Sequence, residues 1–185
     1  MRFTIIYGSV RENRQGIKAA RFITTKLKER KHDVELIDAK EHPFPLLDRM
    51  YKEFNDPPQY MREIAETIER SDGIVVVTGE YNHSVPPALK NLLDHYQKEY
   101  LYKPSAIVSY SAGGFGGVRS AVQMRAITGE LGMPSIPSIF AVSKVQDSFD
   151  ESGNDLTGDY DRRIGKFLDE LEWYAKAMKY GRDHF

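Results

Sequence analysis

The chain has 185 residues, of which 41% are hydrophobic and 29% are charged, and its formal net charge at pH 7 is -1. This length and composition are those of one ordinary globular domain, which we expect to cover residues 1–185. The near-neutral charge disfavours nucleic acid as a partner, and the lack of cysteine excludes disulfides, thiolate metal centres and cysteine nucleophiles.

The chain starts in a strand-like segment, without the apolar region and cleavage site of a secretory signal. No apolar run is long enough to span a membrane. We therefore expect a cytoplasmic protein without a membrane partner.

Predicted strands and helices alternate through the first part of the chain. Residues 3–7 form an apolar β-forming run, and apolar residues at helical spacing begin at Gly16. A second short strand is predicted over 34–37. The connection over 41–58 carries four prolines, and a helix is predicted over 59–70.

The next segment, 73–78, is a continuous β-branched run, which is typical of a strand buried on both faces of a parallel sheet. A helix begins at the Pro86-Pro87 pair. Two further strands are predicted over 105–109 and 136–142, with a helix over 117–131 between them.

The last part of the chain predicts two features. Residues 146–161 are polar and acidic, which indicates a mobile surface loop, and 160–180 predict an amphipathic helix. The aromatic cluster over 96–102, with Tyr96, Tyr100, Leu101 and Tyr102, favours a subunit interface over a place in the core.

Five strands alternating with helices favour right-handed crossovers and a parallel sheet. Ligands bind at the carboxyl ends of such strands, near the point where the strand order reverses. The loops that follow the first, third and fourth strands are therefore the candidate site.

The first of these loops, residues 8–16, is suited to an anion because it leads into a helix amino terminus. Its side chains add neutral and charged donors: Ser9, Arg11, Asn13, Arg14 and Gln15. The pattern is neither a dinucleotide fingerprint nor a P-loop, which favours the monophosphate tail of a flavin. The alternative is a solvated loop whose arginines only keep the protein soluble.

The second loop suits the edge of a flat heteroaromatic ring, which backbone amides and short polar side chains can meet. Its candidate residues are Glu80, Tyr81, Asn82, His83 and Ser84. Hydride transfer to a flavin needs no protein acid or base in its central step, so we predict no catalytic side chain. The histidines lack metal-ligand spacing, and no metal site is predicted.

The third loop, 109–119, carries four glycines and offers Ser111, Gly113 and Gly114 to the other side of such a ring. Glycine permits close approach of the backbone to a planar ligand. A tight turn before a glycine-rich helix start is the alternative for this loop alone.

The three loops resemble those of the NADPH-dependent FMN reductase family, flavodoxin-like proteins that include quinone, chromate and azo-dye reductases. Residues 8–11 match the family's Gly-Ser-x-Arg, and 111–119 match its glycine-rich third loop. Residues 80–94 match Glu-Tyr-Asn-x-Ser-x-Pro-x-x-Leu-Lys-Asn-x-x-Asp nearly throughout, which is the most specific signal. The resemblance covers about residues 1–142.

The resemblance implies a flavodoxin-like three-layer α/β sandwich with a five-stranded parallel sheet in the order 2-1-3-4-5. It also implies an FMN cofactor, NADPH or NADH as co-substrate, and ping-pong reduction of a small-molecule electron acceptor: a quinone, azo compound, metal oxyanion or free flavin. By this resemblance, Ser9 to Gly16 bind the phosphate, Glu80 to Ser84 the ring edge, and Ser111 to Gly114 the other side of the ring. A homodimer or homotetramer is expected.

Two positions depart from the family pattern: Gly79 replaces the usual proline, and Arg14 stands where many members have serine. The main alternative function is a flavodoxin-type electron carrier that binds FMN without its own NAD(P)H turnover. Such carriers have an acidic surface and a Thr/Ser-rich phosphate loop, whereas this chain has two arginines and little net charge. A serine hydrolase is disfavoured because the chain lacks the Gly-x-Ser-x-Gly elbow.

Overall fold

The computed structural model describes residues 1–185 and contains one five-stranded parallel sheet in the order β2-β1-β3-β4-β5. The strands are β1 (Arg2–Tyr7), β2 (Asp33–Asp38), β3 (Gly73–Gly79), β4 (Ser105–Tyr110) and β5 (Ser135–Val142). The predicted strands, their parallel arrangement and their order are confirmed. Every residue of β3 is buried, as its unbroken β-branched sequence predicted.

Helices cover both faces of this sheet. They are α1 (Gly16–Glu29), α2 (Gln59–Arg70), α3 (Pro87–Asp94), α4 (Val118–Glu130), α5 (Val145–Ser148) and α6 (Asp159–His184), with single 3-10 turns at Tyr51–Glu53 and Lys98–Tyr100. One core lies between the sheet and α1 with α6, and a second lies between the sheet and α2, α3 and α4. No helix combines the length and the apolar character that crossing a bilayer requires.

Alternation along the strands divides the side chains between the two cores. In β1, Ile5 and Tyr7 point to the α1 side and Ile6 to the other side. Tyr7 pairs with Val77, and Gly79 pairs with Tyr110. The carboxyl ends of β1, β3 and β4 therefore meet at one edge of the sheet, which brings the three candidate loops together.

The segment 146–161, which we predicted as a mobile surface loop, is partly helical and partly buried. Its first residues belong to α5, and Phe149 is only 1% exposed. The Phe149 ring lies 4.9 Å from that of Phe22 in α1 and 5.0 Å from that of Tyr160 in α6. Residues 149–158 form an irregular and mostly exposed segment between α5 and α6, as the surface-loop prediction has it, and the buried Phe149 side chain fixes its start to the core. The last helix also extends to His184, beyond the predicted end at residue 180.

The aromatic cluster after α3 is not the exposed interface that we expected. Tyr96 and Tyr100 are 1% and 0% exposed and belong to the core beside α2 and α3. The Tyr96 hydroxyl donates to the backbone oxygen of Met61 at 3.1 Å. Only Leu101 and Tyr102 remain at the surface. Two of the four side chains therefore fill the space between helices. Closely spaced tyrosines occur both in cores and in subunit interfaces, so the sequence alone does not distinguish the two.

Candidate functional site

A cavity of about 210 Å³ opens at the sheet edge where β1, β3 and β4 end. Eight of the predicted site residues line it: Ser9, Arg11, Asn13, Arg14, Gln15, Glu80, Tyr81 and Ser111. Five further lining residues were not among the predicted set: Gly79, Tyr110, Ala112, Val145 and Gln146. The structure thus brings the three predicted loops, and a fourth segment after β5, to one cavity.

The first loop offers unused hydrogen-bond donors. The backbone N–H groups of residues 10–15 lie outside any helix or strand, and none of them donates to another group of the protein. The same loop leads into the amino terminus of α1, where the helix dipole favours negative charge. Arg11 is exposed and forms no ion pair. This loop is therefore equipped to receive a phosphate.

Arg14 has a different environment from Arg11. Its guanidinium forms a two-pronged ion pair with Asp38, which is 2% exposed at the end of β2, and also donates to the Ser9 backbone oxygen at 2.9 Å. The same group lies 5.2 Å from the centre of the Tyr7 ring. Arg14 thus holds the loop against the sheet, and Arg11 is the cation left for a ligand.

The second loop contains a tight turn. Tyr81 and Ser84 exchange two backbone hydrogen bonds of 2.9 Å, and the residues between them, Asn82 and His83, have φ angles of 50° and 64°. These left-handed values define a two-residue turn that asparagine tolerates well. The Tyr81 hydroxyl lies 3.4 Å from Ser9 Oγ, so the turn contacts the first loop.

Glu80 is committed to the start of α4. Its carboxylate accepts a 3.2 Å hydrogen bond from the Arg119 backbone N–H and forms a 3.1 Å ion pair with the Arg119 guanidinium. This satisfies a free amide in the first turn of the helix. The contact joins the second and third loops, and it gives Glu80 a positioning role that the sequence pattern did not indicate.

Tyr110 forms part of the cavity wall, and its ring is enclosed by two glycines. A Cβ on Gly79 would lie 2.9 Å from the Tyr110 hydroxyl oxygen, which explains why glycine suits the position where the family usually has proline. Burial raises the pKa of the Tyr110 phenol well above its usual value of 10.0. The group therefore stays neutral at physiological pH and is able to donate or accept a hydrogen bond.

The other predicted residues lie near the cavity without lining it. Gly16 is packed under Tyr110, and the remaining five are Asn82, His83, Ser84, Gly113 and Gly114. The side of Gly113 and Gly114 on which a side chain would project is open, with no atom within 4 Å. Ser84 Oγ and the His83 backbone oxygen bond the Gln123 side chain, at 2.7 and 2.9 Å. Their contacts with a ring remain predictions.

The cavity suits a phosphate joined to a hydroxyl-bearing chain. Donors for the anion gather in the first loop, while Ser9, Tyr81, Tyr110 and Ser111 supply hydroxyl groups along the walls. One wall atom, Gln146 Oε1, is buried without any hydrogen-bond partner in the protein. These groups fit the phosphate and the hydroxyl-bearing ribityl chain of FMN.

Sequence reasoning missed Val145 and Gln146 because it considered only the loops after the first, third and fourth strands. They follow β5, the neighbour of β4 at the edge of the sheet. A signal was present, since carboxyl ends of adjacent parallel strands share one edge. Tyr110 lies in the predicted third loop, 109–119, but was not among the candidate residues, and the structure places it at the end of β4.

Comparison with known proteins gives one consistent result. The model of the family described as NADPH-dependent FMN reductase matches residues 1–147. An NAD(P)H-dependent FMN reductase of Schizosaccharomyces pombe is 31% identical over 167 residues, which cover 88% of this chain and 82% of the relative. A quinone reductase of Pseudomonas putida is 29% identical over 184 residues, covering 95% of both chains. Among solved structures, the flavoenzyme NAD(P)H:(acceptor) oxidoreductase FerB of Paracoccus denitrificans has a similar fold, with a TM-score of 0.73, 17% identity and 97% coverage of each chain.

Proposed function

The chain belongs to the NADPH-dependent FMN reductase family, and we propose that its cavity holds the tail of FMN while the outer turns hold the ring. The protein is an FMN-dependent oxidoreductase that uses NAD(P)H. The observation that supports the placement is the set of free amides and the unpaired Arg11 at the start of α1, facing hydroxyl-bearing walls.

Each loop has a distinct task in this proposal. Arg11 and the amides of residues 10–15 bind the phosphate, with Arg14 fixing the loop through Asp38. Residues 80–84 meet the ring edge, and 111–114 border its other side. Bound FMN supplies the hydride-accepting and electron-donating chemistry, so the protein contributes binding, orientation and an open face for the nicotinamide.

The electron acceptor is a small molecule, and we propose a quinone, azo compound, metal oxyanion or free flavin. The relatives that match include proteins named quinone reductase and NADPH azoreductase. These names favour an enzyme over the alternative, a flavodoxin-type carrier that lacks NAD(P)H turnover. The proposal also includes a cytoplasmic location and assembly into a homodimer or homotetramer. Light scattering of the purified protein measures the oligomeric state.

The proposal is tested by the visible spectrum of the purified protein and identification of the flavin released by acid. Mixing the FMN-loaded protein with NADPH, and separately with NADH, in the absence of oxygen should bleach the flavin band and form one oxidised nucleotide per flavin. Steady-state rates with a quinone acceptor should give parallel double-reciprocal lines.

Two results would contradict this function in different ways. Failure to bind FMN at micromolar concentration would remove the cofactor site altogether. A bound flavin that stays oxidised in NADPH and NADH would instead leave the electron-carrier alternative.

A further inference from the structure

Gln146, in the short helix α5, has hydrogen bonds from its amide nitrogen and none to its amide oxygen. Its Nε2 donates to the Ala112 backbone oxygen at 3.3 Å and to the Asp147 carboxylate at 3.0 Å. Its Oε1 is buried and has no partner in the protein, although the residue lines the cavity. A buried amide oxygen without a donor is unfavourable, and because Gln146 lines the cavity this atom is the free acceptor that a bound ligand would find there.

The orientation of the amide follows from its two neighbours. Ala112 O and the Asp147 carboxylate are both acceptors, so exchanging the oxygen and nitrogen of Gln146 would place three acceptors together. The nitrogen must therefore face these two groups. The oxygen is left as the free hydrogen-bond acceptor of a residue that lines the cavity.

The segment that carries Gln146 is held firmly against the third loop. The Lys144 N–H donates to the Gly113 oxygen at 3.0 Å, and the Val145 N–H donates to the Ser111 oxygen at 3.1 Å. Ser148 Oγ donates to the Ser143 oxygen at 2.8 Å, which closes the helical turn. Gln146 therefore projects from a wall positioned before any ligand binds, which lowers the entropic cost of a contact.

We propose that Gln146 is a cofactor-binding residue whose amide oxygen accepts a hydrogen bond from a hydroxyl of the FMN ribityl chain. The inference rests on the proposed function. A phosphate dianion offers only acceptors and does not satisfy an amide oxygen. The ring imide N–H is the other donor of FMN, but the cavity is lined both by Arg11, Asn13 and Gln15 of the first loop and by Glu80 and Tyr81 of the second, and the ribityl chain is the part of FMN that joins phosphate to ring. The hydroxyl-bearing chain next to the phosphate is the donor that fits this place.

The test compares Gln146→Met, which keeps the side-chain length and removes the amide, with the matched control Gln97→Met. Gln97 is exposed and bonds Lys52 at 2.7 Å, on a surface segment after α3. Dissociation constants are measured by flavin fluorescence for FMN, riboflavin and lumiflavin, with denaturant unfolding of the flavin-free proteins alongside. If Gln146→Met does not fold, Gln146→Ala replaces it.

We expect Gln146→Met to raise the dissociation constants of FMN and riboflavin by the same factor, about fivefold, because one hydrogen bond to the shared ribityl chain is lost. Lumiflavin, which keeps the ring imide but has no ribityl chain, should be unaffected, as should every ligand in Gln97→Met. Unchanged FMN and riboflavin binding overturns the inference, and so does a loss confined to FMN or one that extends to lumiflavin. Those outcomes differ from failure of the wild-type protein to bind FMN, which overturns the proposed function itself.

Discussion

The phenol ring of Tyr110 lies directly over Gly16, where a Cβ would fall 2.0 Å from the ring carbon Cζ. Gly16 is the first residue of α1, and Tyr110 is the last residue of β4. Their contact therefore sets how closely the phosphate loop approaches the third loop. Gly79 lies against the same phenol, since a Cβ there would fall 2.9 Å from the hydroxyl oxygen.

We predict that Gly16→Ala lowers the free energy of unfolding by about 2 kcal/mol or more, because an added methyl group overpacks this contact. FMN affinity should fall about tenfold or more as α1 moves away from β4. Denaturant unfolding and flavin titration measure the two effects.

The matched control is Gly129→Ala in α4, where nothing lies within 4 Å of the added carbon. It should leave FMN binding unchanged and raise stability by up to about 1 kcal/mol, since alanine favours a helix. The loss of unfolding free energy caused by Gly16→Ala should be smaller when Tyr110 is also replaced by alanine. An equal cost with and without the ring would show that the contact is not its source.

Arg11 and Arg14 should respond differently to alanine substitution. Arg11→Ala removes an unpaired cation and is expected to weaken FMN about tenfold while leaving riboflavin binding and stability unchanged. Arg14→Ala leaves the Asp38 carboxylate buried without its partner and should lower the unfolding free energy by about 3 kcal/mol.

Flavin titrations and urea unfolding of both variants separate these roles. The double variant Arg14→Ala with Asp38→Ala should recover part of the lost stability, because no isolated charge remains. A fully stable Arg14→Ala protein with a loss specific to FMN would instead make Arg14 the main phosphate ligand.

The environment of Lys103 should make the free energy of unfolding rise with pH. Burial, followed by the charge of Arg182, lowers the pKa of Lys103 to about 8, and its Nζ donates to the Glu99 backbone oxygen at 2.7 Å. Between this pKa and the ordinary lysine value of 10.5, the unfolded chain holds a proton that the folded chain has released. Stability therefore increases as pH rises, by about 2 kcal/mol between about pH 7.5 and 9.5.

Urea unfolding across that range measures the slope, and Lys103→Met should remove it while the exposed control Lys166→Met keeps it. Above about pH 10 the trend reverses, because burial raises the pKa of Tyr96 and Tyr100 and only the unfolded chain then ionises them. A wild-type protein whose stability is flat between pH 7.5 and 9.5 would refute the shifted lysine.

Glu80 should behave as a structural carboxylate. Glu80→Ala removes both the Arg119 ion pair and the acceptor for the Arg119 N–H. It should therefore lower the free energy of unfolding by about 1 kcal/mol more than Arg119→Ala does. The pH dependence of NADPH oxidation should keep its shape, because Glu80 transfers no proton. Loss of one limb of the pH profile in Glu80→Gln would assign it an acid or base role.

The sequence alone predicted most of the fold and much of the candidate site. The continuous β-branched run at 73–78 and the alternation of strands with helices depend on local patterns, and they predicted β3 and the parallel sheet correctly, while the strand order followed from the family resemblance. The loops around Arg11 and Tyr81 were located because parallel strands end at one edge. Family-like motifs in those loops pointed to FMN chemistry.

Only the tertiary structure decided which of two similar arginines is free, because Asp38 lies 24 residues after Arg14 and reaches it through the pairing of β1 with β2. It also decided that Tyr96 is core, and that Gln146 joins the cavity from beyond β5. Local sequence periodicity records which residues are apolar and which loops are polar. Partners that are distant in sequence depend on how the strands register and how the helices pack, and these contacts exist only in the folded chain.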